Sequence, residues 1–218
     1  EWRDEIAEGA SQGELTSVGA DLGSGSKNSD ETTFAKMYDG KHIGDLEIQQ
    51  YYNPDIATME TAGIIKGLID AYSVDVFIDS HGLGLGCYQR LIEQGYDKKA
   101  HAFVAPRKAP KKMKDKTGMY KFGNLRAAAW WRMRELLDPE GEHLITLPRN
   151  DKLTGELTAP KKNIKSDATL FIEMKKDIRK RLGRSTDHAD AVIQAATGEM
   201  TVKKGRAKIY VIGEGYVD

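Results

Sequence analysis

Two stretches of this sequence end in the same way, and together they restrict the fold more than anything else in the chain. "ELTSVGADLG" (residues 14–23) and "VDVFIDSHG" (residues 74–82) are short apolar runs closed by an acid, Asp21 and Asp79, with glycine two or three positions further on. Such a run reads as a buried strand. Glycines after it let backbone and ligand approach the acid without a Cβ in the way. Between the two lie a polar Gly/Ser-rich loop, "SGSKNSDE", and two more β-like runs, "TTFAKMYDG" and "KHIGDLEIQQYY", joined at Asp39-Gly40. Asp-Gly is a favoured pair for a tight hairpin because both positions tolerate φ > 0. Ile64, Ile65, Leu68, Ile69 and Tyr72 then follow a helical period over residues 58–72. The order is therefore β-β-β-α-β, three antiparallel strands and a helical crossover. Such a crossover returns the fourth strand parallel to the first and beside it. Asp21 and Asp79 then project from one edge of one sheet.

The remaining pattern adds a helix over residues 85–94 ended by Gly95, a short strand in "HAFVAP", and a strong helix over 124–137, "NLRAAAWWRMRELL". A last short strand is expected at 169–172, a polar and basic stretch at 173–182, and a final helix at 187–197. The tail "RAKIYVIGEGYVD" suits a strand or hairpin. With no repeat and no change of composition, residues 14–200 read as one α/β domain, a mixed sheet flanked by helices. The chain opens at Glu1 with "EWRDEIAEGA" and reads as a piece of something longer, with 1–13 as a linker and 201–218 as a C-terminal tail. Lys+Arg and Asp+Glu both total 33, so net charge gives no vote for nucleic acid and any basic surface must be local. Cys87 stands alone, which excludes an intrachain disulfide and a cysteine-based zinc cluster and fits a reducing compartment. No apolar run approaches the roughly 18 residues of a membrane span.

"STDHADAV" (residues 185–192) places Asp187 and Asp190 on one turn at the start of an apolar helix. Joined to Asp21 and Asp79, they make three or four carboxylates. Such a cluster is repulsive without a cation, so it holds raised pKa values or binds metal. Hard oxygen ligands suit Mg²⁺ or Mn²⁺. Two such ions about 4 Å apart activate a water and stabilise the leaving oxygen in phosphodiester hydrolysis. Each acid also has a plainer reading: Asp21 as a turn former, Asp79 as an Asx turn, Asp187 as a first-turn acid. Asp190, one turn deeper, is the stronger ligand candidate. Asp30 and His81 are secondary candidates, as loop polarity and a turn histidine. Gly82, Gly84 and Gly86 give G-x-G-x-G, which misses the dinucleotide fingerprint, and no G-x-x-x-x-G-K-[ST] phosphate loop is present.

The segments "GADLGSGSKNSDETTFAK", "VDVFIDSHGLGLGCYQRL", "FGNLRAAAWWRMRELL" and "RKRLGRSTDHADAV" span residues 19–192. Together they resemble the C-terminal nuclease domain of the large terminase subunit of tailed bacteriophages, which has a ribonuclease H-like fold. The resemblance implies a metal-dependent endonuclease that cuts concatemeric double-stranded viral DNA during packaging. It implies Asp21, Asp79 and the Asp187-x-x-Asp190 motif as metal ligands, with Mg²⁺ or Mn²⁺, two ions, as cofactor. It further implies an ATPase motor preceding Glu1, a small terminase subunit and a portal as partners, and the host cytoplasm as the place of action. One departure is "NLRAAAWW", with alanines where such helices often carry a polar residue.

DNA must reach the acids despite their charge. "RKAPKKMKDK" (Arg107, Lys108, Lys111, Lys112, Lys114 and Lys116) is the first candidate for phosphate contact, expected to be a mobile loop because of Pro106 and Pro110. "KKDIRKRLGR", with Lys180, Arg181 and Arg184, is the second. Trp130 and Trp131 read as helix core rather than base-stacking platforms. The rivals are a sugar-kinase-like ATPase, for which the chain is too short, a Holliday-junction-type resolvase on the same fold, and a non-catalytic docking module for portal or motor.

Overall fold

Residues 13–23, 31–51, 53–141 and 145–201 are described by the computed structural model of the protein. The first strand, β1 (Leu15–Asp21), pairs antiparallel with β2 (Thr32–Tyr38). The connecting turn after β2 has Asp39 at φ 52 and Gly40 at φ 65, as the Asp-Gly pair requires. The expected third strand is broken in two. Both β3 (His42–Ile43) and β4 (Glu47–Gln49) pair with β2, but Met37 faces Ile43 while Phe34 faces Glu47. One extra residue on the returning chain makes a bulge there, with Gly44 N–H donating to Lys36 O at 3.0 Å.

The crossover helix α1 (Pro54–Tyr72) starts earlier than its apolar period, because Asn53 caps it and Pro54 occupies its first turn. It leads to β5 (Asp75–Asp79), which lies parallel to β1 with Ala20 facing Ile78. Next come α2 (Leu83–Glu93) and β6 (Ala100–Phe103), the latter parallel to β5. The main sheet therefore runs β3-β2-β1-β5-β6, with β4 also on β2. This is the ribonuclease H-like arrangement expected, three antiparallel strands followed by parallel additions.

The rest of the chain builds the second face. After β7 (Lys121–Phe122) come α3 (Leu125–Leu136) and α4 (Asp151–Thr158). Two short strands follow, β8 (Lys162–Ile164) and β9 (Thr169–Ile172), then α5 (Lys175–Leu182) and α6 (Asp187–Thr197). A single 3-10 turn, Gly198–Thr201, ends the described chain. Strands β7, β9 and β8 form a small separate sheet, and of its strands only β9 was expected from the sequence, as α4 was not. The expected linker and tail fall outside the described residues, apart from Gly13 and Thr201.

Two apolar layers sandwich the main sheet. Val18, Ala20, Val76 and Ile78 pack on Ile65, Leu68 and Ile69 of α1 and Leu91 of α2. On the other face Ala35, Ile43 and Phe103 meet Ala191, Val192 and Ile193 of α6 and Trp130 and Met133 of α3. Trp131 turns the opposite way, toward Phe122 and Leu170 of the small sheet. Both tryptophans are thus helix core, as expected. Helix α6 lies directly on β1: a Cβ added at Gly19 would stand 2.0 Å from Ala191 O and 2.5 Å from Ala195 N. Both obstructions are backbone, so only movement of the whole helix relieves them. Gly19→Ala is expected to lower stability by about 2–4 kcal/mol, at or above the usual range for overpacking. Denaturant unfolding checks this; a change below about 0.5 kcal/mol, the usual scatter of a surface substitution, would show that α6 is not seated on β1.

Candidate active site

Strand alternation decides where the acids point. Along β1, Val18 and Ala20 face α1, whereas Ser17 faces α6 and donates from Oγ to Ala195 O at 2.7 Å. Asp21 shares the phase of Ser17 and Gly19. Along β5, Asp79 likewise shares the phase of Phe77 and opposes Val76 and Ile78. The register that pairs Ala20 with Ile78 puts Asp21 and Asp79 on the next rung, at the carboxyl edge. Both therefore face the layer whose helix α6 begins with Asp187 and Asp190. The four acids come from three elements, and each element is positioned by packing rather than by the acids.

At their centre is a group that sequence reasoning missed. Lys175, the first residue of α5, places its Nζ 3.1 Å from Asp21 Oδ2, 3.1 Å from Asp187 Oδ1 and 3.1 Å from Asp190 Oδ2. Asp21 and Asp187 are buried, at 4% and 6% exposure, while the Lys175 side chain is 38% exposed along its length. Asp190 is the most firmly oriented acid. Its Oδ1 accepts from Trp130 Nε1 at 3.3 Å and its Oδ2 from Thr186 Oγ1 at 2.8 Å. Asp187 has no such support: its Oδ1 is buried with only the ammonium beside it. Asp79 uses Oδ1 to accept from His81 N–H at 3.3 Å, so the Asx turn weighed for it does form. The His81 side chain is exposed and bonds Asp79 only through its backbone. Asp21 is not a turn former, since Gly23 N–H is satisfied by Thr32 Oγ1 at 3.1 Å. Asp30 lies outside the described residues.

The electrostatics divide the acids. Burial holds Asp21 well above the usual carboxylate range, with the Asp190, Asp187 and Asp79 charges adding to it and Lys175 opposing. Burial also raises Asp79, against the pull of Lys175. For Asp190 burial acts upward too, but Lys175, the Arg126 guanidinium and the Thr186 hydroxyl outweigh it, and its pKa is lowered. Burial would depress Lys175, yet Asp21, Asp190 and Asp187 hold it well above its usual value. The ammonium is thus charged and acts as the cluster's own counter-ion. Among the described residues, no three ligand-type side chains converge to metal-binding geometry around it. Replacing the 3.1 Å contacts to nitrogen by the roughly 2.1 Å of a Mg²⁺–oxygen bond needs each carboxylate to move inward by about 1 Å.

A second cation, Arg126 of α3, lies behind Asp190 and Asp79 and is pulled down by burial while both acids oppose this. Its Nη1 donates to Glu173 O at 2.6 Å, and its guanidinium lies 5.2 Å over the Trp130 ring. On the far side of Asp187, Glu156 is fully buried and accepts from Ala189 N–H at 3.1 Å, which ties α4 to the first turn of α6.

No family model matches the chain, and no curated protein sequence matches it. Solved structures do. The chain is similar to a mutant fragment of the large terminase subunit of bacteriophage Sf6 with calcium, with a TM-score of 0.63 and 16% identity, over 86% of this chain and 90% of that one. It is similar to a mutant nuclease domain of the same Sf6 subunit with manganese and β-thujaplicinol, with a TM-score of 0.62, 17% identity and the same 86% and 90% coverage. The chain has the fold of a phage terminase nuclease domain. The large terminase nuclease of thermophilic phage G20c with bound cobalt is a further match, with a TM-score of 0.52, 16% identity and coverage of 84% and 80%. On this fold the expected strands and helices keep their order from β1 to α6, with β7, α4, β8 and α5 added among them.

The basic segments fare differently. Residues 107–116 avoid regular helix, as Pro106 and Pro110 demand. They are tied down, however, rather than free as expected. Arg107 O accepts from Leu125 N–H at 2.8 Å, Ala109 is buried, and Lys116 N–H donates to Glu135 Oε1 at 2.9 Å. The side chains of Arg107, Lys108, Lys111, Lys112, Lys114 and Lys116 are all exposed. The segment leaves β6 beside Asp79, whose strand partner is Phe103. In the second basic run, Arg181 donates to Ala159 O at 2.7 Å and pairs with Glu173, and Arg184 pairs with Glu156 at 3.4 Å. Those two guanidiniums hold α5 and α4 in place. Lys180 is exposed, 3.8 Å from Asp177. Among the described residues, no helix is long and apolar enough to cross a membrane.

Proposed function

We propose that this chain is a divalent-metal-dependent endonuclease that cuts double-stranded concatemeric viral DNA during genome packaging, by two-metal phosphodiester hydrolysis. One observation carries the reading: three carboxylates from β1 and α6 gather around a single ammonium at the carboxyl edge of a terminase-nuclease sheet, with Asp79 of β5 beside them and within the reach of its charge. The donor set fits Mg²⁺ or Mn²⁺, being hard oxygens already arranged around a positive charge, with a buried Asp187 oxygen whose partner is the Lys175 ammonium alone among the described residues. Asp21, Asp79, Asp187 and Asp190 would hold the ions, which supply water activation and charge neutralisation at the phosphodiester. The similar Sf6 nuclease domain solved with manganese supports the same choice of cofactor, and the G20c nuclease solved with cobalt supports a divalent metal.

The chain's own groups have distinct parts. Trp130 and Thr186 fix the Asp190 carboxylate, so that its geometry does not depend on the ion. Lys175 balances the acids when no ion is present. Exposed cations on residues 107–116 meet the DNA backbone without reading sequence. An ATPase motor earlier in the same polypeptide, a small terminase subunit and a portal are the proposed partners, and the host cytoplasm the proposed setting.

The test is cleavage of linear duplex DNA by the chain alone. Products are expected in Mn²⁺ or Mg²⁺, with little sequence preference, and none in chelator. Robust cutting in excess chelator would end the metal reading. Marked preference for branched over linear duplexes would favour a junction resolvase, and inertness with every divalent ion a docking module. Neutralising several of the six basic residues of 107–116 is expected to weaken binding alike on all sequences. The logarithmic salt slope should flatten by about 0.9 for each phosphate that is no longer neutralised. An unchanged slope would remove that segment from the DNA path.

A further inference from the structure

The small sheet takes no part in holding the acids, yet its outer face is built in a definite way. Phe122 and Leu170 are buried against Ala127, Ala128 and Trp131 of α3. Because neighbours alternate along a strand, Lys121, Thr169 and Phe171 fall on the opposite, outward face. A bridge between Lys114 and Lys121 adds one more row and sets Lys114 on the same side. The Lys165 ammonium lies 4.8 Å over the Phe171 ring. Lys114, Lys121 and Lys165 are all exposed, and the neighbouring acid is Asp167, on the turn before β9.

Position gives this face a meaning. Strand β9 runs directly into α5, and Lys175 follows Thr169 by six residues. At about 3.3 Å per residue, no more than about 20 Å of chain separates the lysine face from the acid cluster. That is about six base pairs of duplex at 3.4 Å each. The segment carrying Lys114 likewise starts at the end of β6, next to Asp79. The chain leading into the small sheet thus departs from the acid edge, and the chain leaving β9 returns to it at Lys175.

We infer that the outward face of β7 and β9, with Lys121 and Lys165 at its centre, is a second contact surface for the phosphate backbone of duplex DNA, within about half a helical turn of the cut. This rests on the endonuclease reading above. Lysines present point charges to phosphate without reading bases. Held there as well as at the acids, a duplex is fixed in direction across the site as well as in position.

The experiment compares the wild-type chain with Lys121→Gln/Lys165→Gln, measuring anisotropy of a short labelled duplex of arbitrary sequence over a range of NaCl, in Ca²⁺. Both side chains are exposed, so the melting temperature is expected to hold. The log Kd against log salt slope is expected to become shallower by about 1.8, and Lys121→Arg/Lys165→Arg to restore it. A wild type that binds and cuts DNA, with an unchanged slope in the glutamine variant, overturns this surface and leaves the nuclease reading standing. A wild type that neither binds DNA nor cuts it with Mn²⁺ overturns both.

Discussion

Asp21→Asn, Asp79→Asn and Asp190→Asn are each expected to slow DNA cleavage by more than about 100-fold while leaving the fold intact. Loss of a group that merely orients a metal ligand typically costs 10–100-fold, so loss of a ligand sets a floor near the upper end. Asp187→Asn belongs with them, because Asp187 stands as close to the shared ammonium as Asp190 does, at 3.1 Å. Asp21→Asn and Asp190→Asn separate in their metal-free stability. Burial keeps the folded pKa of Asp21 above its unfolded value, so its contribution is most favourable at low pH and is lost as pH rises through the folded pKa. At pH 7 its ionised form is a cost, and Asp21→Asn is expected to raise the melting temperature. Asp190 has the opposite sign. Burial notwithstanding, Lys175, Arg126 and Thr186 keep its folded pKa low, so its contribution is present at neutral pH and lost only as pH falls through that lowered value. Asp190→Asn is expected to lower the melting temperature at pH 7. The gain from Asp21→Asn is expected to shrink as pH falls toward about 4, where the unfolded carboxylate also protonates. Calorimetric scans of the metal-free proteins from pH 4 to pH 7 check this; equal losses in both variants would mean that the acids serve mainly as structural pairs.

Lys175→Ala is the second large effect. It leaves Asp21, Asp187 and Asp190 facing one another with no ammonium between them. Breaking a buried pair typically costs 3–5 kcal/mol. The Lys175 side chain is 38% exposed, and water screens part of the loss, so about 1–3 kcal/mol is expected without metal. Mn²⁺ then replaces the missing charge without a competitor. Saturating Mn²⁺ is expected to raise the melting temperature of Lys175→Ala more than that of the wild type, since an ion at 100 times its Kd contributes about 2.7 kcal/mol. Thermal scans with and without Mn²⁺ decide it. A smaller shift in the variant than in the wild type would show that the lysine helps to form the ion site instead of standing in its place.

The acid edge was legible because two strands each end in an acid and period-two alternation leaves no freedom in which face that acid takes. Helix α6 was legible, since apolar positions from Ala189 to Ala195 follow its polar first turn. Helix α4 was not. It has eight residues, with Gly155 and two threonines diluting a pattern that rests on Leu153 and Leu157. The available signal was Asn150, whose side chain accepts from Leu153 N–H. The small sheet escaped because β7 has two residues and β8 is "KNI", too short and too polar to alternate; pairing with β9 creates both strands. Lys175 was hidden among the other Lys, Arg and Asp residues of "KKDIRKRLGR". Nothing local marks it, and only the tertiary placement of the start of α5 turns one basic residue of that run into the centre of the site.

On the endonuclease reading, the carboxylates gathered on Lys175 are the ones that hold the divalent ion. Calorimetric titration of Mn²⁺ into the wild type and into Asp21→Asn/Asp190→Asn tests it most directly. Saturable binding is expected in the wild type and none in the double variant, in step with the loss of cleavage. Binding of unchanged affinity in a folded double variant would contradict it and place the ion elsewhere.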